Sequence, residues 1–148
     1  MTPSVVIADG LTDALTDLVD RVDGARFAVV LSPDGLLLGA SPGVDDALAR
    51  QLSGMVAGLE ALGLAAARVC VGGALRQVVV QMWRSFLFVA TIRSGAILAV
   101  RMGGDTEVGD MAYEVALFVA RAERYLPVYL APVRAATSGE RGAPGRRP

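Results

Sequence analysis

The stretch Val71-Gly-Gly-Ala-Leu-Arg-Gln-Val-Val-Val-Gln-Met-Trp-Arg-Ser-Phe-Leu-Phe-Val-Ala-Thr-Ile-Arg-Ser-Gly-Ala-Ile-Leu-Ala-Val-Arg101 reads as three consecutive β-strands joined by very short turns. The runs from Phe86 to Ile92 and from Ala96 to Val100 are apolar on both faces, which predicts a sheet covered above and below by helices. The first run, about Leu75 to Met82, is interrupted by Arg76, Gln77 and Gln81 and reads as the exposed edge. It is valine-rich and free of Pro and Lys, so it is an unprotected template for a second chain. Almost no catalytic side-chain chemistry lies in these strands, which marks them as scaffold.

The elements outside the stretch supply the covering layers. Leu11, Leu15, Leu18 and Val22 recur at helical spacing, with Asp13, Asp17 and Asp20 on other faces, and Gly24 ends this first helix. Phe27 to Leu31 then leads through Ser32-Pro-Asp-Gly35 into Leu36 to Leu38, the residues of a type I turn in a hairpin. A second helix, from Asp45 to about Ala66, is expected to face the sheet with Leu48, Leu52, Met55, Leu59 and Leu62. Asp46, Arg50, Ser53, Ala57 and Glu60 form its polar back, and Ala47, Gly54, Gly58, Ala61 and Ala65 form a lane of small residues. A glycine inside a helix costs about 1 kcal/mol relative to alanine. Close approach of another backbone is one reason to keep two of them; packing against the chain's own sheet is the other reading. Thr106 is placed to cap a third helix, with Glu107 and Asp110 near its start and Arg121 and Arg124 near its end. Its buried side is expected to be Val108, Met111, Ala112, Val115, Phe118, Val119 and Ala122, and Pro127 and Pro132 stop it.

Composition narrows the function classes. The 148 residues suffice for one domain with a core of its own, and 53% hydrophobic content makes that core large. Arg68, Arg84, Arg93 and Arg101 interrupt the apolar runs before a membrane span is expected, and the N-terminus lacks the positive segment of a signal peptide and meets an acidic residue early, at Asp9. A cytoplasmic protein without membrane insertion is the expectation. The single cysteine, Cys70, has no internal partner and is expected to be buried and inert. With a net charge of -1 and all 14 basic residues arginine, nothing resembles a nucleic-acid groove, and the Arg, Ala, Gly and Val usage suggests a GC-rich genome. From about Ala135 the chain is Gly, Pro, Ser and Arg, a composition that favours a solvated tail over a docking peptide.

The usual catalytic sets are missing from the sequence: it has no His, one Cys, no Gly-x-Ser-x-Gly and no Walker-type phosphate loop. Asp45 and Asp46 read as helix-start acids, not metal ligands, and nothing argues for a cofactor. Gly72-Gly73 reads as a flexible turn more readily than as an anion nest. Arg50 is either a solvated arginine paired with Asp46 or a partner-facing residue, as a binding contact in preference to an arginine finger. Trp83 is either an exposed hot spot or packed on a neighbouring helix.

Three segments resemble the roadblock/dynein light chain domain, in its actinobacterial conservon-type branch. They are Phe27-Ala-Val-Val-Leu-Ser-Pro-Asp-Gly-Leu-Leu-Leu-Gly-Ala-Ser41, Gly72 to Met82 with Phe86-Leu-Phe-Val89, and Val108-Gly-Asp-Met-Ala-Tyr-Glu-Val-Ala-Leu117. The resemblance implies an α/β (α+β) three-layer sandwich in residues 9–127, after a short extension (1–8) and before a Pro/Gly/Arg-rich tail (128–148). Its five-stranded antiparallel, profilin-like sheet carries the first and third helices on one face and the long second helix on the other. It further implies a noncatalytic homodimer whose third strands pair edge to edge and whose second helices lie side by side. The dimer interface is then Gly54, Gly58, Ala61, Arg76, Gln77, Val79 and Gln81. The paired helices form a platform for a small Ras-like GTPase, with Asp46, Arg50, Ser53, Ala57 and Glu60 as the contact residues. A sensor-kinase-like protein is a possible further partner, and a small-ligand sensor or structural adaptor is the alternative function. Trp83-Arg84-Ser85 and Gln81 depart from the family pattern, where acidic residues are frequent, and could alter partner preference at that rim.

Overall fold

The computed structural model describes residues 2–92, 94–104 and 108–126; the expected cap at Thr106, the acid at Glu107 and the Arg-containing tail lie outside these residues. The elements run α1 (Thr2–Arg21), β1 (Ala25–Leu31), β2 (Leu37–Ala40), α2 (Asp46–Val69), β3 (Val78–Gln81), β4 (Ser85–Thr91), β5 (Ile97–Gly103) and α3 (Val108–Ala122), followed by one 3-10 turn (Glu123–Tyr125). All strand pairs are antiparallel, in the order β2-β1-β5-β4-β3. Alternation along the central strands divides their side chains between two apolar layers. Phe86, Phe88, Leu98, Val100 and Met102 meet α1 and α3; Leu87, Val89, Ile97 and Ala99 meet α2.

The α1 stripe of Leu11, Leu15, Leu18 and Val22 is buried, as its spacing predicts. The helix itself begins at Thr2, well before Leu11. In the hairpin, the Gly35 N–H donates to the Ser32 carbonyl at 2.9 Å and Gly35 takes φ +94, a conformation open to glycine without a Cβ penalty. In α3, Met111, Phe118 and Ala122 are buried, but Ala112 is exposed because it falls on the solvent side of that line.

Two sequence expectations need correction here. The strand expected from Leu75 to Met82 pairs with its neighbour only over Val78–Gln81. Gly73, at φ +85, turns the preceding chain, and Leu75 lies beneath Gly63 of α2 instead of continuing the ladder. Cys70 is exposed, because α2 continues past Ala66 and Cys70 becomes its C-cap.

The end of α2 is a Schellman turn, with Gly72 N–H donating to the Ala67 carbonyl and Val71 N–H to the Arg68 carbonyl. That geometry needs a left-handed residue at position 71. A β-branched valine occupies it at φ 52, while glycine stands one residue later.

Candidate interaction surface on the long helix

Asp45 starts α2 as its N-cap, with its carboxylate accepting from the Leu48 N–H at 2.8 Å. The helix then crosses all five strands. Its 24 residues span about 36 Å, whereas five strands are only about 19 Å wide. A Cβ on Gly63 would lie 2.8 Å from Val78 Cγ2, which places this glycine over β3, the last strand. The final residues of α2 therefore overhang the sheet edge, and Val69 there is 82% exposed.

The rotation of α2 differs from the sequence expectation. Its sheet-facing line is Ala49, Leu52, Val56 and Glu60, while Met55 and Leu62, expected inside, are exposed, Leu62 by 70%. Leu48 and Leu59 remain partly buried against the sheet. Hydropathy favours the five-residue leucine and methionine stripe, but the buried line passes through a glycine and a glutamate that close packing on β3 and β4 selects. Glu60, expected on the polar back, is only 5% exposed, and the Thr91 hydroxyl donates to its Oε2. Among the described residues its Oε1 has no hydrogen-bond partner. Burial pushes this carboxyl above the ordinary 4.5.

The remaining polar-back residues separate. Asp46 and Arg50 are exposed, and among the described residues no ion pair joins them. Ser53 is half-buried and its hydroxyl donates to the Ala49 carbonyl at 2.7 Å. Ala57 is half-covered by the β1–β2 turn, since a Cβ on Gly35 would lie 3.4 Å from its own Cβ. The small-residue lane faces outward: Gly54, Gly58 and Ala61 are exposed, and among the described residues a Cβ on either glycine would meet nothing within 4 Å. Packing on the chain's own sheet is thus ruled out for these two glycines. Gly63 is the one built into the sheet contact, and its seven-residue spacing from Val56 is the signal that could have identified it.

The edge beside this helix is β3. The Met82 N–H donates to the Ser85 carbonyl at 2.8 Å, and from that pair the ladder alternates. Val78 and Val80 turn their backbone groups toward β4, whereas Val79 and Gln81 turn theirs to the open edge. Arg76 and Gln77 precede the strand and are exposed. Trp83, in the β3–β4 turn, is 97% exposed, so it does not pack on a neighbouring helix of its own chain.

The overhang of α2, its outward lane of small residues and the β3 backbone groups turned away from β4 lie on one side of the molecule. Among the described residues no three His, Cys, Asp or Glu side chains converge. A family model of the roadblock/LC7 domain matches residues 11–102. The chain belongs to the roadblock/LC7 family. Members of this family act as regulators and adaptors. A roadblock/LC7 domain from Streptomyces avermitilis is 36% identical, with 77% of this chain and 95% of that one covered and a TM-score of 0.72. A second domain structure from the same organism is 33% identical over 74% of this chain and 95% of the other, with a TM-score of 0.61. The Myxococcus xanthus MglB structure shares the fold at a TM-score of 0.70 and 13% identity, over 79% of this chain and 88% of that one. Comparison with curated proteins finds no match.

Among the described residues α2 is one helix long and apolar enough to cross a membrane. In this roadblock fold it instead lies across the sheet, with Glu60 inside the contact.

Proposed function

We propose that this roadblock protein is a noncatalytic, cytoplasmic homodimeric regulator that binds a small Ras-like GTPase on its paired α2 helices. The observation that carries the reading is the overhang of α2 beyond β3. It projects exposed Val69 past an edge whose Val79 and Gln81 backbone groups turn away from β4 and have no strand partner among the described residues. A second copy satisfies both features: its β3 continues the ladder, and its α2 lies along the lane of Gly54, Gly58 and Ala61. Arg76 and Gln77 extend that contact at its rim.

The resemblance to roadblock proteins supports the GTPase as partner, and the outward positions of Asp46 and Arg50 support α2 as the docking face. Ser53 and Ala57 border that face, while Glu60 supports the helix from beneath. Arg50 acts here as a binding contact that leaves hydrolysis to the GTPase's own machinery. An adaptor for a sensor-kinase-like protein would use the same surface. Reversing charge with Arg50→Glu weakens GTPase binding at least tenfold and leaves the dimer mass unchanged. Unchanged affinity would remove α2 as the docking face.

A further inference from the structure

The net charge of -1 conceals two unlike sides. From Ala47 to Gly104, which takes in nearly all of α2 and the strands β3, β4 and β5, the charged residues are Arg50, Arg68, Arg76, Arg84, Arg93 and Arg101 against Glu60 alone. Glu60 is buried beneath α2 and faces no solvent-side arginine. Arg50, Arg68, Arg76, Arg84 and Arg101 are exposed, and among the described residues no ion pair reaches them. The α1–α3 layer is the reverse: Asp13, Asp17, Asp20 and Glu114 populate it, and its Arg21 and Arg121 both pair with Asp17.

Arg101 stands opposite Leu87 and Phe27 in the ladder, and both belong to the layer that meets α2, so this arginine rises on the α2 side of the sheet. Two more lie on α2 itself. Arg50 and Arg68 are five full turns apart, so they share one line of the helix with about 27 Å between them. The helix dipole accounts for Arg68, which is in the last turn. It does not account for Arg50, which lies near the opposite end and forms no ion pair with Asp46 one turn away.

We infer that the α2 side receives an acidic surface of its partner protein, with Arg50 and Arg68 as anchors for carboxylates at the two ends of the contact. The inference rests on α2 being the docking face proposed above and adds the chemistry of what docks there. A guanidinium binds a carboxylate through two parallel N–H···O bonds, so two such sites set apart along a helix fix orientation as well as affinity. A lipid surface fits less well, because it is held by tight clusters of roughly four to eight basic residues instead of separated points. Exposed charges of this kind act chiefly on the rate of encounter, and salt screens them over about 10 Å at about 0.1 M.

The test is stopped-flow association of the full chain with the GTPase encoded nearest to it, at about 50 and about 300 mM NaCl. The association rate constant is expected to fall about tenfold between the two. Arg50→Gln and Arg68→Gln should each flatten that salt dependence, whereas Arg124→Gln, on the α1–α3 side, should leave it as in wild type. Association at a rate that salt does not change overturns the acidic surface and leaves α2 as the docking face. A salt dependence that both α2 variants retain, or that Arg124→Gln flattens equally, overturns the two anchors. No association even at low salt, with the circular dichroism of a folded chain, overturns the docking face and this inference with it. Cosedimentation with phosphatidylserine vesicles that Arg50→Gln and Arg68→Gln both abolish also overturns it, because the arginines then serve a lipid surface.

Discussion

Replacing glycines along α2 should separate its two sides by sign. Gly58 and Gly63 lie in the same helix, and each replacement by alanine gains about 1 kcal/mol of helix propensity in an isolated subunit. At Gly58 nothing among the described residues lies within 4 Å of the new Cβ, so the full gain is expected. At Gly63 the Cβ would meet Val78 at 2.8 Å and Leu75 at 2.9 Å. Overpacking of that kind costs about 1–3 kcal/mol, so Gly63→Ala should be neutral to destabilising by about 2 kcal/mol. Association reverses the order. Gly58→Leu retains most of the propensity gain yet forces the neighbouring helix of a second copy outward. Loss of about 1.4 kcal/mol of packing raises the dimer Kd tenfold. Urea unfolding at concentrations below the dimer Kd, together with sedimentation equilibrium, reads both quantities. If Gly54→Leu and Gly58→Leu both keep the wild-type dimer mass across the dilution series, the small-residue lane is not the helix contact and the proposed dimer geometry fails.

Other substitutions probe individual features. Val71→Gly should stabilise the subunit: relief of about 1–2 kcal/mol of left-handed strain exceeds the added freedom of the unfolded chain, which offsets about 0.4–1 kcal/mol. An unchanged urea midpoint would show that Val71 carries no strain. Ser41 is buried, and its hydroxyl accepts from the Ala28 N–H at 2.9 Å, so Ser41→Ala should cost about 1–3 kcal/mol by leaving that donor unpaired; a loss below 0.5 kcal/mol (roughly the surface-substitution range) would contradict this role. Glu60 titrates above its ordinary 4.5 in the folded chain. Its contribution is fully present below the unfolded value and is lost as pH rises through the folded value. Glu60→Gln should therefore raise stability relative to wild type more at pH 8 than at pH 4 (about half a unit below the ordinary value); a pH-independent difference would refute the assignment.

Much of the fold was legible because its signals are local or repeated. Leu11, Leu15, Leu18 and Val22 describe one face of α1, and Ser32-Pro-Asp-Gly35 contains the residues its turn requires. The double-sided apolar runs became β4 and β5, covered on both faces. The phase of α2 was less legible. Its strongest hydrophobic stripe and its buried line share Leu52 but diverge at Met55 and Leu62, which are exposed, and at Glu60, which is inside. A periodicity rule ranks leucine above glycine and glutamate, whereas β3 and β4 select by volume and by a hydrogen bond from Thr91. Cys70 was misplaced for a related reason: nothing local in Ala65-Ala66-Ala67 shows that the helix runs beyond the sheet before it ends. Of the candidate surface, Gly54 and Gly58 were legible as costly helix residues, and among the described residues nothing meets a Cβ on either.

The central claim is that paired α2 helices dock a small GTPase, and calorimetric titration of the wild-type protein tests it most directly. The GTPase encoded nearest to this protein would be loaded in turn with GDP and a nonhydrolysable GTP analogue, and stoichiometry recorded with affinity. The account predicts two protomers per GTPase, a clear difference between nucleotide states, and loss of at least tenfold in affinity with Arg50→Glu. No binding in either state, or binding of one protomer per GTPase unaffected by Arg50→Glu, would contradict it.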